Sequence, residues 1–160
     1  MIKLFRVDHR LLHGQVAVGW VNHTEANCIL IANDDVSKND MWKTTLRLAK
    51  PTNCKLVIKN IEDAIESLNN GSTDKYNLII LVENLSDAAK IALNDTDKRI
   101  QSINLGGAKH TKNSRAIGKS FYITDEDTKY LSEILSENIE VEVRQLPNEN
   151  KIIIDNINVI

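Results

Sequence analysis

Cysteine is almost absent from this chain: Cys28 and Cys54 are the only two among 160 residues. Each lies in an apolar, strand-like segment with no Cys or His close by. That argues for buried thiols over a disulfide or a zinc site, because cytosolic thiols stay reduced and a zinc site needs clustered ligands. Long hydrophobic runs are missing too, and no stretch reaches the ~18 apolar residues of a membrane span. The opening Met-Ile-Lys-Leu-Phe-Arg is too short and too soon charged for a signal peptide, so a cytoplasmic protein is expected. Nor is there a surplus of positive charge. The 20 Lys and Arg face 22 Asp and Glu, a formal net charge of −2, whereas general nucleic-acid binding shows as a basic excess. No repeat or low-complexity linker divides the sequence, and residues 1–160 are expected to form one domain. A chain of this length should bury roughly 70% of its unfolded surface, enough to need no staple.

What the sequence has instead is alternation. Apolar segments at Ile2–Val7, Cys28–Ala32, Lys55–Lys59, Asn77–Val82, Ile100–Leu105, Ser120–Ile123 and Ile139–Arg144 read as strands. Helical patterns fall between them at Gly14–Val21, Ser37–Ala49, Ile61–Asn69, Ser86–Leu93 and Asp125–Ser136. Pro51 stops the second helix, Asn69-Asn70-Gly71 ends the third, and Ser86 with Asp87 is expected to open the fourth. Continuously apolar stretches such as Leu78-Ile79-Ile80-Leu81-Val82 suit parallel strands covered on both faces. The prediction is an α/β fold: an open, doubly wound, mainly parallel sheet of about seven strands with helices on both faces. Ile139–Arg144 alternates apolar and charged residues and reads as a half-exposed edge strand, antiparallel to the rest. The tail Asn148 to Ile160 fits a short helix or a terminal strand equally well.

Open parallel sheets bind ligands beyond the carboxyl ends of their strands, where strand order reverses. The segment Arg6-Val7-Asp8-His9-Arg10-Leu11-Leu12-His13-Gly14-Gln15-Val16 puts an imidazole at such a place, between the first strand and the first helix. Backbone N–H groups at a helix start, Gly14 and Gln15 here, favour an anion. The Arg10 fork suits a phosphoryl group better than Lys would. A neutral imidazole nitrogen is both a good nucleophile and a good leaving group, so His13 is the candidate acceptor, and the helix start and Arg10 both disfavour the imidazolium. Asp8 is expected to orient the loop or Arg10 rather than act as a general base. His9 reads as a solvated loop residue. Asn33-Asp34-Asp35, Glu83-Asn84 and Gly106-Gly107-Ala108-Lys109 follow other strands and are expected at the same rim. Gly106 and Gly107 would let backbone approach phosphate or simply form a turn, and Lys109 and His110 would add positive charge. Asp34 and Asp35 read as helix caps before they read as a magnesium site, and no metal or cofactor is expected.

The string Asp8-x-Arg10-Leu11-x-His13-Gly14-Gln15-Val16 resembles the active-site loop of the IIB components of the mannose/fructose/sorbose family of the bacterial sugar phosphotransferase system. The likeness extends over nearly the whole chain, including Asn104-Leu105-Gly106-Gly107 and Glu140-Val141-Glu142-Val143-Arg144. His9 stands where family members often carry a second Asp. The resemblance implies that His13 is phosphorylated by a IIA protein and passes the phosphoryl group to a sugar held by a IIC/IID membrane complex, with the chain peripheral to the inner face of the membrane. It implies catalytic roles for His13, Arg10 and Asp8, phosphate contacts at Gly14, Gln15, Gly106 and Gly107, and a IIA donor on a separate chain. Mannose, fructose, sorbose and N-acetylgalactosamine all remain open as the sugar. Three other classes compete. A receiver domain needs a phospho-accepting Asp after the third strand, where Lys59-Asn60 stands. A histidine phosphatase needs Arg directly before the His, where Leu12 stands. A non-catalytic phosphosugar-binding or regulatory module would use the same anion site without transfer.

Overall fold

Side chains along each central strand alternate between two buried faces, so the strands read as unbroken apolar runs. On one face Phe5, Val7, Leu30, Leu78, Ile80, Ile103 and Leu105 pack with residues of three helices, α4 (Ile61–Asn69), α5 (Leu85–Leu93) and α6 (Asp125–Ser136). On the other, Leu4, Ile29, Ile31, Ile79 and Leu81 lie under α1 (Gly14–Thr24), α2 (Asp34–Ser37) and α3 (Asp40–Leu48). The computed structural model describes residues 1–155.

The seven strands of the main sheet are β1 (Ile2–Asp8), β2 (Cys28–Ala32), β3 (Lys55–Lys59), β4 (Leu78–Val82), β5 (Ser102–Gly107), β8 (Glu140–Val143) and β9 (Ile152–Ile154), in the order β3-β2-β4-β1-β5-β8-β9. All neighbours are parallel except β8 and β9. The chain leaves β1 toward β2 through α1, and later crosses from β4 to β5 on the other side of β1 through α5. Strand order therefore reverses around β1, which puts the β1–α1 loop at the switch point.

Four expectations need correction. Ile139–Arg144 is not the edge: β8 is parallel to β5 and lies inside the sheet, and the antiparallel edge is β9, drawn from the tail. The tail is thus a strand as far as Ile154, while residues 156–160 lie outside the described part. Ser120–Ile123 does not join the sheet. Its strand, β7 (Phe121–Ile123), pairs with β6 (Arg115–Ile117) in a separate antiparallel ribbon. The helix expected over Ser37–Ala49 starts only at Asp40, because Asn39 accepts from the amide of Trp42, while Ser37 closes a separate short helix, α2, opened by Asn33, which accepts from the amides of Asp35 and Val36. Finally, α5 is opened by Asn84, whose side chain accepts from Asp87 N at 2.8 Å, and not by Ser86. Cys28 and Cys54 are free and buried as expected, and burial pushes the Cys28 thiol up to about 11.

Asp87, in the first turn of α5, yields a stability prediction. Burial pushes its carboxyl up to about 6, against the pull of Lys90 and helped by Asp34, Glu83 and Asp35. The folded state therefore binds this proton more tightly than the unfolded chain. Stability from Asp87 is greatest below the ordinary carboxyl range and is lost as pH rises through about 6. Asp87→Asn should stabilise the protein by about 1–3 kcal/mol near pH 8 and by almost nothing near pH 4. Urea unfolding at the two pH values checks this, and an equal gain at both would contradict it.

Candidate active site

The β1–α1 loop is folded by its leucines. After Asp8 the chain reverses through a turn closed by Leu11 N donating to Asp8 O at 2.9 Å, with Leu11 in the left-handed region at φ 57°. Such a backbone is costly for a bulky residue. Burial of Leu11 and Leu12 beside Trp20 and Val21 offsets that cost. With both leucines turned inward, His13 is turned out. It is exposed at the N-cap of α1, and its carbonyl accepts the first helical bond from Ala17 N at 3.1 Å.

The His13 side chain makes no capping bond, and the first turn of α1 carries no acid. Every other described helix has a capping Asn or Thr and at least one acid in its first turn. The start of α1 thus keeps amides that no side chain satisfies, in the exposed stretch of Gly14 and Gln15. Those amides and the positive end of the helix dipole adjoin His13, the N-cap residue.

Arg10 is held from the side. Its backbone N donates to Asp8 Oδ1 at 3.0 Å, its Nε to the same oxygen at 3.2 Å, and its Nη2 to Asp8 Oδ2 at 3.4 Å. That leaves Nη1 without a protein partner among the described residues. Asp8 is fully buried, and burial alone would push its carboxyl up. The hydrogen bonds from Arg10 and the charges of Arg6 and Arg10 outweigh burial and hold it below its ordinary value. Asp8 is therefore ionised and orients Arg10, one of the roles the sequence left open.

Beneath this loop lies a polar row that sequence reading missed. In register, Arg6 stands opposite Asn104 on β5, and Asn104 opposite Glu142 on β8. Arg6 Nη1 donates to Asn104 Oδ1 at 2.7 Å and to Arg144 O at 3.2 Å, and Arg6 Nη2 to Asp8 Oδ2 at 3.0 Å. Asn104 Nδ2 donates to Glu142 Oε1 at 3.2 Å, which also accepts from Arg144 Nη2 at 3.1 Å. Trp20 covers the row, its ring 5.5 Å from the Arg6 guanidinium and 4.9 Å from that of Arg144. Burial lowers the pKa of Arg6, and the facing Asp8 works against that shift.

Gly106 and Gly107 belong to β5 and are buried, where a loop had been expected. A Cβ on Gly106 would lie 2.0 Å from Arg6 Cζ, and one on Gly107 3.0 Å from Asp8 Oδ1, so the pair makes room for those two side chains. His9 is half-buried rather than solvated: its N donates to Gly107 O, and its Nδ1 lies 3.8 Å from Asp8 Oδ1. Lys109 is exposed, and His110 sits edge-on to Tyr122. Asp34 and Asp35 form the first turn of α2, and Asp34 also caps Ile61 N at 2.9 Å. Asn33 and Glu83 bond each other at the ends of β2 and β4. The sequence pattern that could have revealed the row is the shared polar alternation of Arg6-Val7-Asp8, Asn104-Leu105-Gly106 and Glu142-Val143-Arg144.

A doubly wound sheet whose switch-point loop offers an exposed imidazole at an uncapped helix start, beside an arginine fixed by a buried carboxylate, defines an α/β protein with an anion site at the carboxyl ends of its strands. Residues 2–159 match the model of the PTS system sorbose subfamily IIB component, and the chain belongs to this family, a sugar phosphotransferase subunit. It is 28% identical to the PTS system fructose-specific EIIB component of Bacillus subtilis over 148 residues, which covers 92% of this chain and 90% of that one. It is 30% identical over 158 residues to a protein of Streptococcus pyogenes named a probable phosphotransferase enzyme IIB component, covering 95% of this chain and 96% of that one. The crystal structure of the IIBSor domain of the sorbose permease from Klebsiella pneumoniae superposes with a TM-score of 0.91 at 24% identity, covering 99% of this chain and 96% of that one, a likeness of fold. Among the described residues no helix is long and apolar enough to cross a membrane.

Proposed function

We propose that residues 1–160 form a IIB phosphocarrier domain that accepts a phosphoryl group on His13 from a phosphorylated IIA protein and passes it to a sugar during uptake through a IIC/IID membrane complex. The observation that carries this reading is the free imidazole of His13 at the one helix start, among the described residues, that no side chain caps. The ring nitrogen attacks the phosphorus as the bond to the IIA histidine breaks. In the second transfer a sugar hydroxyl attacks as it gives up its proton to a base or water on the acceptor side, and the bond from phosphorus to His13 breaks to release the neutral ring. The amides of Gly14 and Gln15 and the free edge of Arg10 hold the phosphoryl oxygens, while Asp8 keeps Arg10 in place. Such transfers depend on positioning and charge more than on covalent help. Gly107 acts on the phosphoryl group indirectly, by admitting Asp8 below the loop.

In-line attack on one imidazole requires that donor and acceptor approach the same rim, Asp8 to His13, in turn. Work at the cytoplasmic side of the membrane, in peripheral contact with IIC/IID, follows from that exchange. The test is incubation with phosphoenolpyruvate, the general donor proteins and IIA, followed by intact mass and then by delivery of the label to sugar in membranes holding IIC/IID. A chain that binds phosphosugar yet never becomes labelled would be a regulatory module instead.

Arg10→Lys keeps a positive charge but loses the fork that bonds Asp8 and phosphate together. Transfer from IIA should slow on the order of 10²-fold with IIA binding little changed. Rapid-quench transfer and titration calorimetry separate the two effects, and an unaltered rate would make Arg10 a bystander.

A further inference from the structure

Arg6 is a buried charge that the phosphocarrier reading leaves without a task. It is 2% exposed in the middle of β1, on the sheet face where Leu4 is apolar. Burying a guanidinium is costly even when it is paired, and an apolar side chain often serves stability as well or better. Nor does Asp8 need Arg6 as a handle for orienting Arg10, since its two oxygens already accept three bonds from Arg10.

What Arg6 changes is charge. Asp8 and Arg10 alone are a neutral pair, which would offer an incoming phosphoryl group little field. Arg6 bonds Asp8 Oδ2 at 3.0 Å from below, so the three groups together carry one net positive charge. The neighbouring Glu142 and Arg144 form their own neutral pair. Because Arg6 is sealed under Trp20, solvent and salt screen it far less than they would a surface lysine.

We propose that Arg6 is a positioning residue for phosphoryl transfer: it offsets the charge of Asp8 from beneath, so that Asp8 holds Arg10 at the rim without neutralising it. The proposal rests on the phosphocarrier reading of His13. It explains why a glycine stands at 106, where any side chain would collide with the Arg6 guanidinium. It also explains why Asn104 and the Arg144 carbonyl are spent on fixing Arg6 rather than on the loop.

The experiment compares single-turnover transfer from phosphorylated IIA to the full chain carrying Arg6→Gln, Arg6→Lys, or Arg6→Gln with Asp8→Asn. For Arg6→Gln the maximal rate constant should fall on the order of 10- to 100-fold while the IIA concentration at half-saturation stays put. Arg6→Lys should recover most of that loss, and the double variant, which restores the net positive charge, should be faster than Arg6→Gln alone. A folded Arg6→Gln protein with the parent's rate, or a double variant no faster than it, overturns the proposal. If Arg6→Gln does not fold, Glu142→Gln adds a positive charge to the same row and should speed transfer, and no change there overturns the proposal as well. Failure of the phosphocarrier reading is seen separately, as a parent chain that takes no label. The charge effect is then read from titration with inorganic phosphate, followed at the Gly14 and Gln15 amides by NMR. Binding should weaken in Arg6→Gln, and equal binding in parent and variant overturns the proposal.

Discussion

A His13→Ala variant is expected to fold like the parent and to accept no phosphoryl group at all. The side chain is exposed and makes no capping bond, so its removal costs the fold little. The leucines that shape the loop, Leu11 and Leu12, remain buried and keep the helix start where it is. Intact mass after incubation with the donor system measures the loss, and circular dichroism with a thermal melt shows the fold intact. In the parent the adduct should be labile to acid and stable to alkali, as a phosphorus–nitrogen bond requires. Labelling that survives in the variant would move the acceptor elsewhere. An alkali-labile adduct would point to a carboxylate.

Gly106→Ala should have the largest effect on stability. The added methyl would sit 2.0 Å from Arg6 Cζ, inside any real contact distance. The guanidinium has nowhere to go, since Asp8, Asn104 and the Arg144 carbonyl fix it and Trp20 closes the space above. Either the strand shifts or Arg6 leaves partners that are buried and charged. Overpacking and a broken buried ion pair together set the cost at about 3–5 kcal/mol, with transfer impaired in whatever remains folded. Gly19→Ala on α1 is the control, because its new carbon would meet only the Pro147 ring at 3.8 Å. Urea midpoints of the two variants should differ widely, and a Gly106→Ala protein as stable as the control would mean that Arg6 is free to move.

Elements with local causes were legible from the sequence. The bounds of Cys28–Ala32, Lys55–Lys59, Ile61–Asn69 and Asp125–Ser136 are those read from apolar runs and nearby caps. The loop that presents His13 was legible for the same reason, since its strand, imidazole and helix start are contiguous. What stayed hidden depends on partners far apart in the chain. Glu142 looked like a solvent residue on an edge strand because alternation with valine is the usual mark of one wet face. It is buried because Asn104, 38 residues away, donates to it, while Asn104 in turn meets Arg6 across 98 residues. No window of sequence contains that row. The start at Asp40 was hidden differently: Ser37 and Asn39 are both good N-cap residues, and the sequence does not say which one accepts the helix's first amide.

Trp20, stacked on the guanidiniums of Arg6 and Arg144 with its indole N–H on Gln145 O, has a consequence for watching the protein at work. Light absorption moves electron density across the indole from the five-membered to the six-membered ring. Its emission colour is therefore tuned by whatever cations stand beside it. A tryptophan clamped this way is a built-in voltmeter for the floor of the loop. With Trp42 replaced by phenylalanine, arrival and departure of the phosphoryl group proposed for His13 should be followed in real time by fluorescence, with no dye attached.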